Sequence, residues 1–225
     1  GRQILRDRRD RIRLIRAVRL PQTVTIWLVA VTGVASLLIL GAGLNAMAMA
    51  TMGFIPARFS GLVQVGGAVP AILTPLTATL VHGGLLHLGF NLLMLAWCGV
   101  AVERVLGGKG VLVIYGVSAY VAMLAQWVVG PAELAPVIGA SGAVSGLIGA
   151  YALSFGRAKQ VSSSPAVNRL VNIVWLAVAW AVLQWAVGFS AGAQGVMLAT
   201  PAHVGGFVAG MLLQRPLLLW RYRGA

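Results

Sequence analysis

The chain has 225 residues, is 59% hydrophobic and 9% charged, and has a mean hydropathy of +0.90. Its formal net charge is +13, from 17 Lys and Arg against 4 Asp and Glu. Basicity alone would suggest a nucleic-acid partner, but this hydropathy excludes a soluble nucleic-acid-binding module, because apolar runs of about 18 or more residues read as membrane helices.

In chain order, residues 1–22 form an Arg-rich segment, expected on the cytoplasmic side either as a surface-bound stretch attracted to anionic lipids or as a disordered tail. The chain starts with Gly1 rather than Met, so some native sequence is expected ahead of it. The charge-free run Leu20 to Ala57 predicts a span over 24–46. It is far longer than the roughly 7–15 residues of a signal-peptide core, so it reads as an anchor. The stretch Phe54 to Val81 holds Pro56, Pro70, Pro75 and Gly66-Gly67, and reads as an outer loop half sunk in the interface. Spans follow over 84–103, 111–130 and 141–156, the last short enough to end below the membrane surface or abut a water-filled cavity. Ser162 to Pro165 reads as a cytoplasmic turn. The charge-free run Leu170 to Gln214 is too long for one crossing and divides at a Gly-rich outer loop, Gly188 to Pro201, into spans over 171–188 and 202–219. The last helix is expected to end near Arg215-Pro216, with Trp220 to Arg223 as an interfacial anchor. The fold class is therefore an all-α polytopic membrane protein, a six-transmembrane-helix bundle over 23–220 with a basic N-terminal segment (1–22) and a C-terminal tail (221–225), both cytoplasmic.

Six spans with the N-terminus inside put sixteen of the seventeen cations on one side, leaving only Arg58 outside. That is the positive-inside bias, and dropping one helix would scramble it. The single cysteine, Cys98, falls within a span and reads as packing.

Chemistry has few places to reside. The four acids are Asp7, Asp10, Glu103 and Glu133, two in the basic tail and two at loop edges. A paired-carboxylate mechanism lacks its parts. A proton or ion transporter ordinarily needs acids in mid-span. No Cys or carboxylate is placed to complete a metal site with the histidines, so no metal or cofactor is expected. There remain His82, His87 and His203, together with Asn91 and Ser141. His87 and Asn91 are four apart, hence on one helix face. His82 precedes them, Ser141 opens the fourth span within Gly139-Ala140-Ser141-Gly142, and His203 opens the last. Three helices thus bring polar groups to one depth near the outer leaflet. Each group alone also has a structural reading, as an interhelical hydrogen bond or a packing serine. The small residues Gly142, Gly146 and Ala150, and Ala202, Gly206 and Gly210, recur every four residues and would let the fourth and sixth helices approach closely. If those faces meet, Ser141 and His203 come within hydrogen-bond reach.

The ordered set resembles the rhomboid family of intramembrane serine proteases. His82-Gly-Gly-Leu-Leu-His87-Leu-Gly-Phe-Asn91 is similar to that family's His and HxxxN element, Gly139-Ala140-Ser141-Gly142 to its GxSG motif, and Ala202-His203-Val-Gly-Gly206-Phe-Val-Ala-Gly210 to its AHxxGxxxG helix. Glu103 with Leu106-Gly107 fits the family's end of the second span, and the match runs over about 57–214. The resemblance implies a rhomboid-like bundle and hydrolysis of peptide bonds in or near transmembrane segments of other proteins, within a lipid bilayer and with no nucleic-acid partner. It implies Ser141 as nucleophile and His203 as general base. His87 and Asn91 with the Ser141 N–H would form the oxyanion hole, and His82, Gly139, Gly142, Gly206 and Gly210 would support it. With no acid aligned as a third member, the imidazole is expected to be oriented by packing. Ser145 stands where many members carry an aromatic, and is expected to hydrogen-bond to the His203 ring instead; Pro56-Ala57-Arg58-Phe59 replaces the Trp-Arg pair of some members. The short basic N-terminus and compact loops point to a bacterial inner membrane, with an organelle membrane as the alternative. Gly188 to Pro201 would suit a gate over the site. Two rivals from other classes are a catalytically dead rhomboid-like binder of membrane helices, marked by loss of the serine or histidine, and a histidine-relay channel.

Overall fold

The computed structural model describes residues 23–156, 160–192 and 199–223. The basic segment 1–22 lies outside the described residues, as does the end of the C-terminal tail. The elements are helical: α1 (Thr23–Gly41), α2 (Asn45–Met52), α3 (Pro56–Phe59), α4 (Thr74–Thr77, between 3₁₀ turns Ala71–Leu73 and Ala78–Leu80), α5 (Leu85–Val129), α6 (Ser141–Phe155), α7 (Pro165–Gly192) and α8 (Thr200–Arg221). Among the described residues the only β pairing is an isolated bridge, Phe54 with Val137. Among the described residues four helices, α1, α5, α7 and α8, are long and apolar enough to cross a membrane, and α6 is a shorter apolar helix.

The 45 residues of α5 would extend about 68 Å as a straight helix, more than twice a bilayer's hydrocarbon thickness. Gly107, at φ 76°, ψ 168°, breaks it into limbs 85–106 and 108–129. The limbs fold back on each other. A Cβ on Gly139 would touch His87 near the start of the first limb, and one on Gly142 would touch Ala122 near the end of the second. Both limb ends therefore meet the N-terminus of α6.

Helix α6 is the centre of the bundle. Its residues Gly142 to Leu147, Gly149 and Ala150 are buried, and they join Leu95, Val102, Ile114 and Ala119 of α5 in the core. Large apolar residues on the periphery, such as Trp27, Leu86, Phe90 and Trp185, are exposed, as a lipid-facing surface requires. The small-residue faces meet as expected. A Cβ on Gly206 would fall on the carbonyl of Gly142, and one on Gly210 on the carbonyl of Gly146, so α6 and α8 touch backbone to backbone.

At one end of the bundle Glu103 ties two helices together. Its carboxylate accepts from the N–H groups of Val24 (3.2 Å) and Thr25 (2.9 Å) and from Thr25 Oγ1 (2.6 Å). A helix leaves its first N–H groups without intrahelical partners and its N-terminus partly positive, so a carboxylate there is stabilising. Arg221, in the last turn of α8, donates to the carbonyls of Glu103 (3.3 Å) and Arg104 (3.2 Å), which the break at Gly107 leaves open.

Several boundaries differ from expectation, each for a local reason. The first helix ends at Gly41 rather than at 46, and Gly43, at φ 69°, turns the chain into α2. Hydropathy cannot register that stop, because Gly and Ala keep the run apolar. The segment 54–81 is irregular as expected but contains α3, α4 and two 3₁₀ turns. Helix α7 begins at Pro165, six residues before the expected span, because proline is well suited to a first helical position. The expected loop from Gly188 begins later, since α7 runs to Gly192; residues 193–198, the middle of the expected gate, lie outside the described residues. Helix α8 passes through Pro216 to Arg221 instead of ending at Arg215-Pro216, since proline in a membrane helix can be accommodated by neighbouring groups.

Candidate active site

Ser141 is the first residue of α6, so its N–H is one of those an α-helix leaves without an intrahelical acceptor. The strand-like approach to it is laced down at several points. Phe54 and Val137 exchange backbone hydrogen bonds, Ala57 N–H donates to the Glu133 carbonyl, and Gly139 N–H donates to the Ala78 carbonyl (2.9 Å). Gly139 adopts φ 102°, a conformation that disfavours side chains, and a Cβ there would lie 2.7 Å from His87 Nε2. Glycine at 139 is thus required twice over, by the turn and by the imidazole.

His203, in the first turn of α8, places Nε2 2.8 Å from Ser141 Oγ. Its other ring nitrogen, Nδ1, lies 2.8 Å from Oε1 of Gln184 on α7. A carbonyl oxygen can only accept, so Nδ1 carries the proton and donates it to Gln184. Nε2 is left with a lone pair facing the serine hydroxyl, which donates to it. That is the tautomer in which an imidazole can take a serine proton. Both ring nitrogens are thereby engaged, so the bond expected from Ser145 is not made to this ring. Ser145 is instead buried one turn below Ser141. The expectation that packing alone orients the imidazole is likewise corrected: a hydrogen bond from α7 does so.

His87 Nδ1 accepts from the Gly83 N–H (3.3 Å), which puts the ring proton on Nε2, on the side of Gly139 and Ser141. Asn91 Nδ2 donates to the His87 carbonyl (2.9 Å), leaving its second amide hydrogen available. His82 is fully buried and its ring stands edge-on to His87, with centroids 5.0 Å apart. Its Nε2 accepts from the Ala140 N–H (3.4 Å), so Nδ1 donates to Ser36 Oγ (2.8 Å), which in turn donates to the Leu80 carbonyl (2.8 Å). This chain links α1, the 78–80 turn and the residue before Ser141.

All the sequence-selected residues therefore fall in one region: Ser141 and His203 in direct contact, His87 and Gly139 beside them, Asn91 a turn below His87, His82 behind Ala140. Gly142 and Gly206 form the close contact beneath the pair, and Gly210 lies one turn further in. Two contributors escape a sequence reading. Ser36 is a small hydroxyl with no motif around it. Gln184 carried a signal, because a strongly polar group inside a span asks for a partner. Chemically, the arrangement offers a hydroxyl with a base on one side and N–H donors on the other, the requirements of acyl transfer through a serine nucleophile.

The family model of the rhomboid domain matches residues 70–220, two thirds of the chain, and covers Ser141, His203, His87, Asn91, His82 and Gln184. The chain belongs to the rhomboid family. It is 30% identical over 149 residues to RHOMBOID-like protein 4 of Arabidopsis thaliana, covering 66% of this chain and 35% of that rhomboid. It is 41% identical over 75 residues to rhomboid protease GluP of Bacillus subtilis (strain 168), covering 33% of this chain and 14% of that protein. The chain thus spans only about a third or less of the length of these rhomboid relatives.

Proposed function

We propose that this rhomboid is an intramembrane serine endopeptidase that cleaves transmembrane segments of other proteins through a Ser141–His203 dyad. The observation that carries the reading is the 2.8 Å contact from Ser141 Oγ to His203 Nε2, with the Nδ1 proton committed to Gln184. Membership of a family that includes a protein named as a rhomboid protease supports it.

In the first step Ser141 Oγ attacks the scissile carbonyl carbon while His203 Nε2 takes the hydroxyl proton. The carbonyl oxygen becomes an oxyanion, held by His87 Nε2–H, the second Asn91 amide hydrogen and the Ser141 N–H at the positive end of α6. Collapse of this intermediate breaks the C–N bond, and His203 returns the proton to the leaving amine. Water then attacks the acyl-enzyme by the same route in reverse roles. His82 and Ser36 hold Ala140 and so fix the backbone beside the nucleophile.

The topology behind this reading is six crossings: α1, the two limbs of α5, α6, α7 and α8, with the N-terminus in the cytoplasm of a bacterial cell and the unit extending over 23–220. Helix α6, at 15 residues, rises only about 22 Å against about 30 Å of hydrocarbon, so its N-terminus sits recessed, within reach of water from the outer side. A substrate helix hides its amides in its own hydrogen bonds and must unwind locally before Ser141 can reach one.

The test is cleavage of a model transmembrane substrate in proteoliposomes by wild type, Ser141→Ala and His203→Ala. Turnover by wild type alone is expected. Equal turnover by correctly inserted mutants would remove the dyad. Proton or ion flux without hydrolysis would favour a histidine relay.

A further inference from the structure

We propose that Gln184 is a positioning residue for the reaction, its side-chain carbonyl holding the His203 imidazole in the tautomer that deprotonates Ser141. The inference rests on the reading of Ser141 and His203 as the catalytic pair and adds a third member from a separate helix.

Three interactions lie at one level between α7 and α8. Trp180 Nε1 donates to the His203 carbonyl (3.3 Å), His203 Nδ1 donates to Gln184 Oε1 (2.8 Å), and Thr200 Oγ1 donates to the Gln184 carbonyl (3.5 Å). Trp180 and Gln184 are four residues apart and so share a helix face. Trp180 also stacks on Phe207, with ring centroids 4.8 Å apart and planes at 8°. One face of α7 therefore grips both the backbone and the ring of His203.

The direction of the amide matters. With Oε1 toward Nδ1, the ring proton sits on Nδ1 and Nε2 is basic. With the amide NH₂ there instead, the proton would sit on Nε2, facing Ser141 Oγ, and the hydroxyl would lose its acceptor. An acceptor at this position is thus part of the chemistry and not only of the packing. A neutral amide also suits the location. A carboxylate would orient the ring equally well and stabilise the imidazolium more strongly, but a charge buried beside a membrane span carries a large desolvation cost. The amide accepts the same hydrogen bond without it.

The experiment compares the full chain with Gln184→Leu, which keeps most of the volume and removes the acceptor, and with Gln184→Glu, which restores an acceptor. Two readouts are taken: kcat and KM on a transmembrane substrate in proteoliposomes, and the protonation of the two His203 ring nitrogens by ¹⁵N NMR of the labelled protein. Gln184→Leu is expected to lower kcat about 10- to 100-fold with KM unchanged, the range for a hydrogen bond to a group that becomes charged. Its His203 is expected to lose the single Nδ1–H form. Gln184→Glu is expected to recover most of kcat and the Nδ1–H form. Wild-type kcat together with the wild-type tautomer in Gln184→Leu would overturn the proposal, as would a folded Gln184→Glu as slow as Gln184→Leu. If wild type itself cleaves nothing, the protease reading fails, while the NMR comparison still decides whether Gln184 sets the tautomer.

Discussion

Replacing Gly139 by alanine probes the oxyanion side of the site more sharply than removing a side chain would. A Cβ at 139 would lie 2.7 Å from His87 Nε2 and 2.8 Å from Cε1. That is about 0.7 Å inside ordinary van der Waals separation, so the imidazole must turn or move by a comparable amount. The backbone at φ 102° adds strain of about 1–3 kcal/mol for any side chain. Two effects follow and separate in the assay. Stability falls by roughly the strain energy, which thermal unfolding in detergent reads. The His87 Nε2–H is carried off its line to the oxyanion, and losing one such donor costs about 10²–10³ in kcat. KM is expected to change little, because the donor acts in the transition state. Gly89→Ala is the matched control: it lies within two residues of both His87 and Asn91, and a Cβ there meets nothing within 4 Å. It should cleave within about twofold of wild type, as an exposed helix site touching nothing allows. A folded Gly139→Ala enzyme with wild-type kcat would refute the assignment of His87 as an oxyanion donor.

Further outcomes follow from other contacts. Glu103→Gln replaces a carboxylate that accepts three hydrogen bonds at the start of α1, and is expected to cost about 1.5–3 kcal/mol in thermal unfolding while leaving kcat at low temperature unchanged. Ser36→Ala strips the acceptor from the buried Nδ1–H of His82 and should cost about 1–3 kcal/mol, with a fall in kcat smaller than that of Gly139→Ala, measured by unfolding and by turnover. Gly210→Val drives a Cβ into the Gly146 carbonyl and must part α6 from α8, so it is expected to lose more than about 3 kcal/mol and to yield little folded protein in a detergent-stability assay. Gly116→Ala, with open space around it, should be neutral in the same assay.

The sequence made the site more legible than the helix ends. Hydropathy located α1, both limbs of α5, α6, α7 and α8 because lipid-facing residues carry no compensating polarity, but it left the short apolar helical stretch Ala71–Leu80 as loop. The four-residue spacing of Gly142, Gly146, Gly206 and Gly210 foretold which two helices touch. What it could not register were events that keep hydropathy constant. Gly41 to Gly43 end α1 by conformation alone, and Pro216 is absorbed within α8. The turn between the spans expected over 84–103 and 111–130, by contrast, is legible, because Glu103, Arg104 and Lys109 interrupt the apolar run, and the break at Gly107 falls within that gap. His203 and His87 stood out because histidines in an apolar chain are few, and Ser141 because it opens a span within Gly139-Ala140-Ser141-Gly142. Gln184 did not, because its role depends on which way an amide faces across two helices. Ser36 did not, because a lone hydroxyl in a span is unremarked until His82 is seen beside it.

The central claim is that Ser141 is a nucleophile activated by His203. Its most direct test is reaction of the folded protein with a fluorophosphonate, followed by mass mapping of the modified residue in wild type and in His203→Ala. The dyad predicts a single adduct, on Ser141, that forms in wild type and is suppressed in His203→Ala. An adduct on another serine, or labelling of Ser141 that proceeds equally fast without His203, would contradict it.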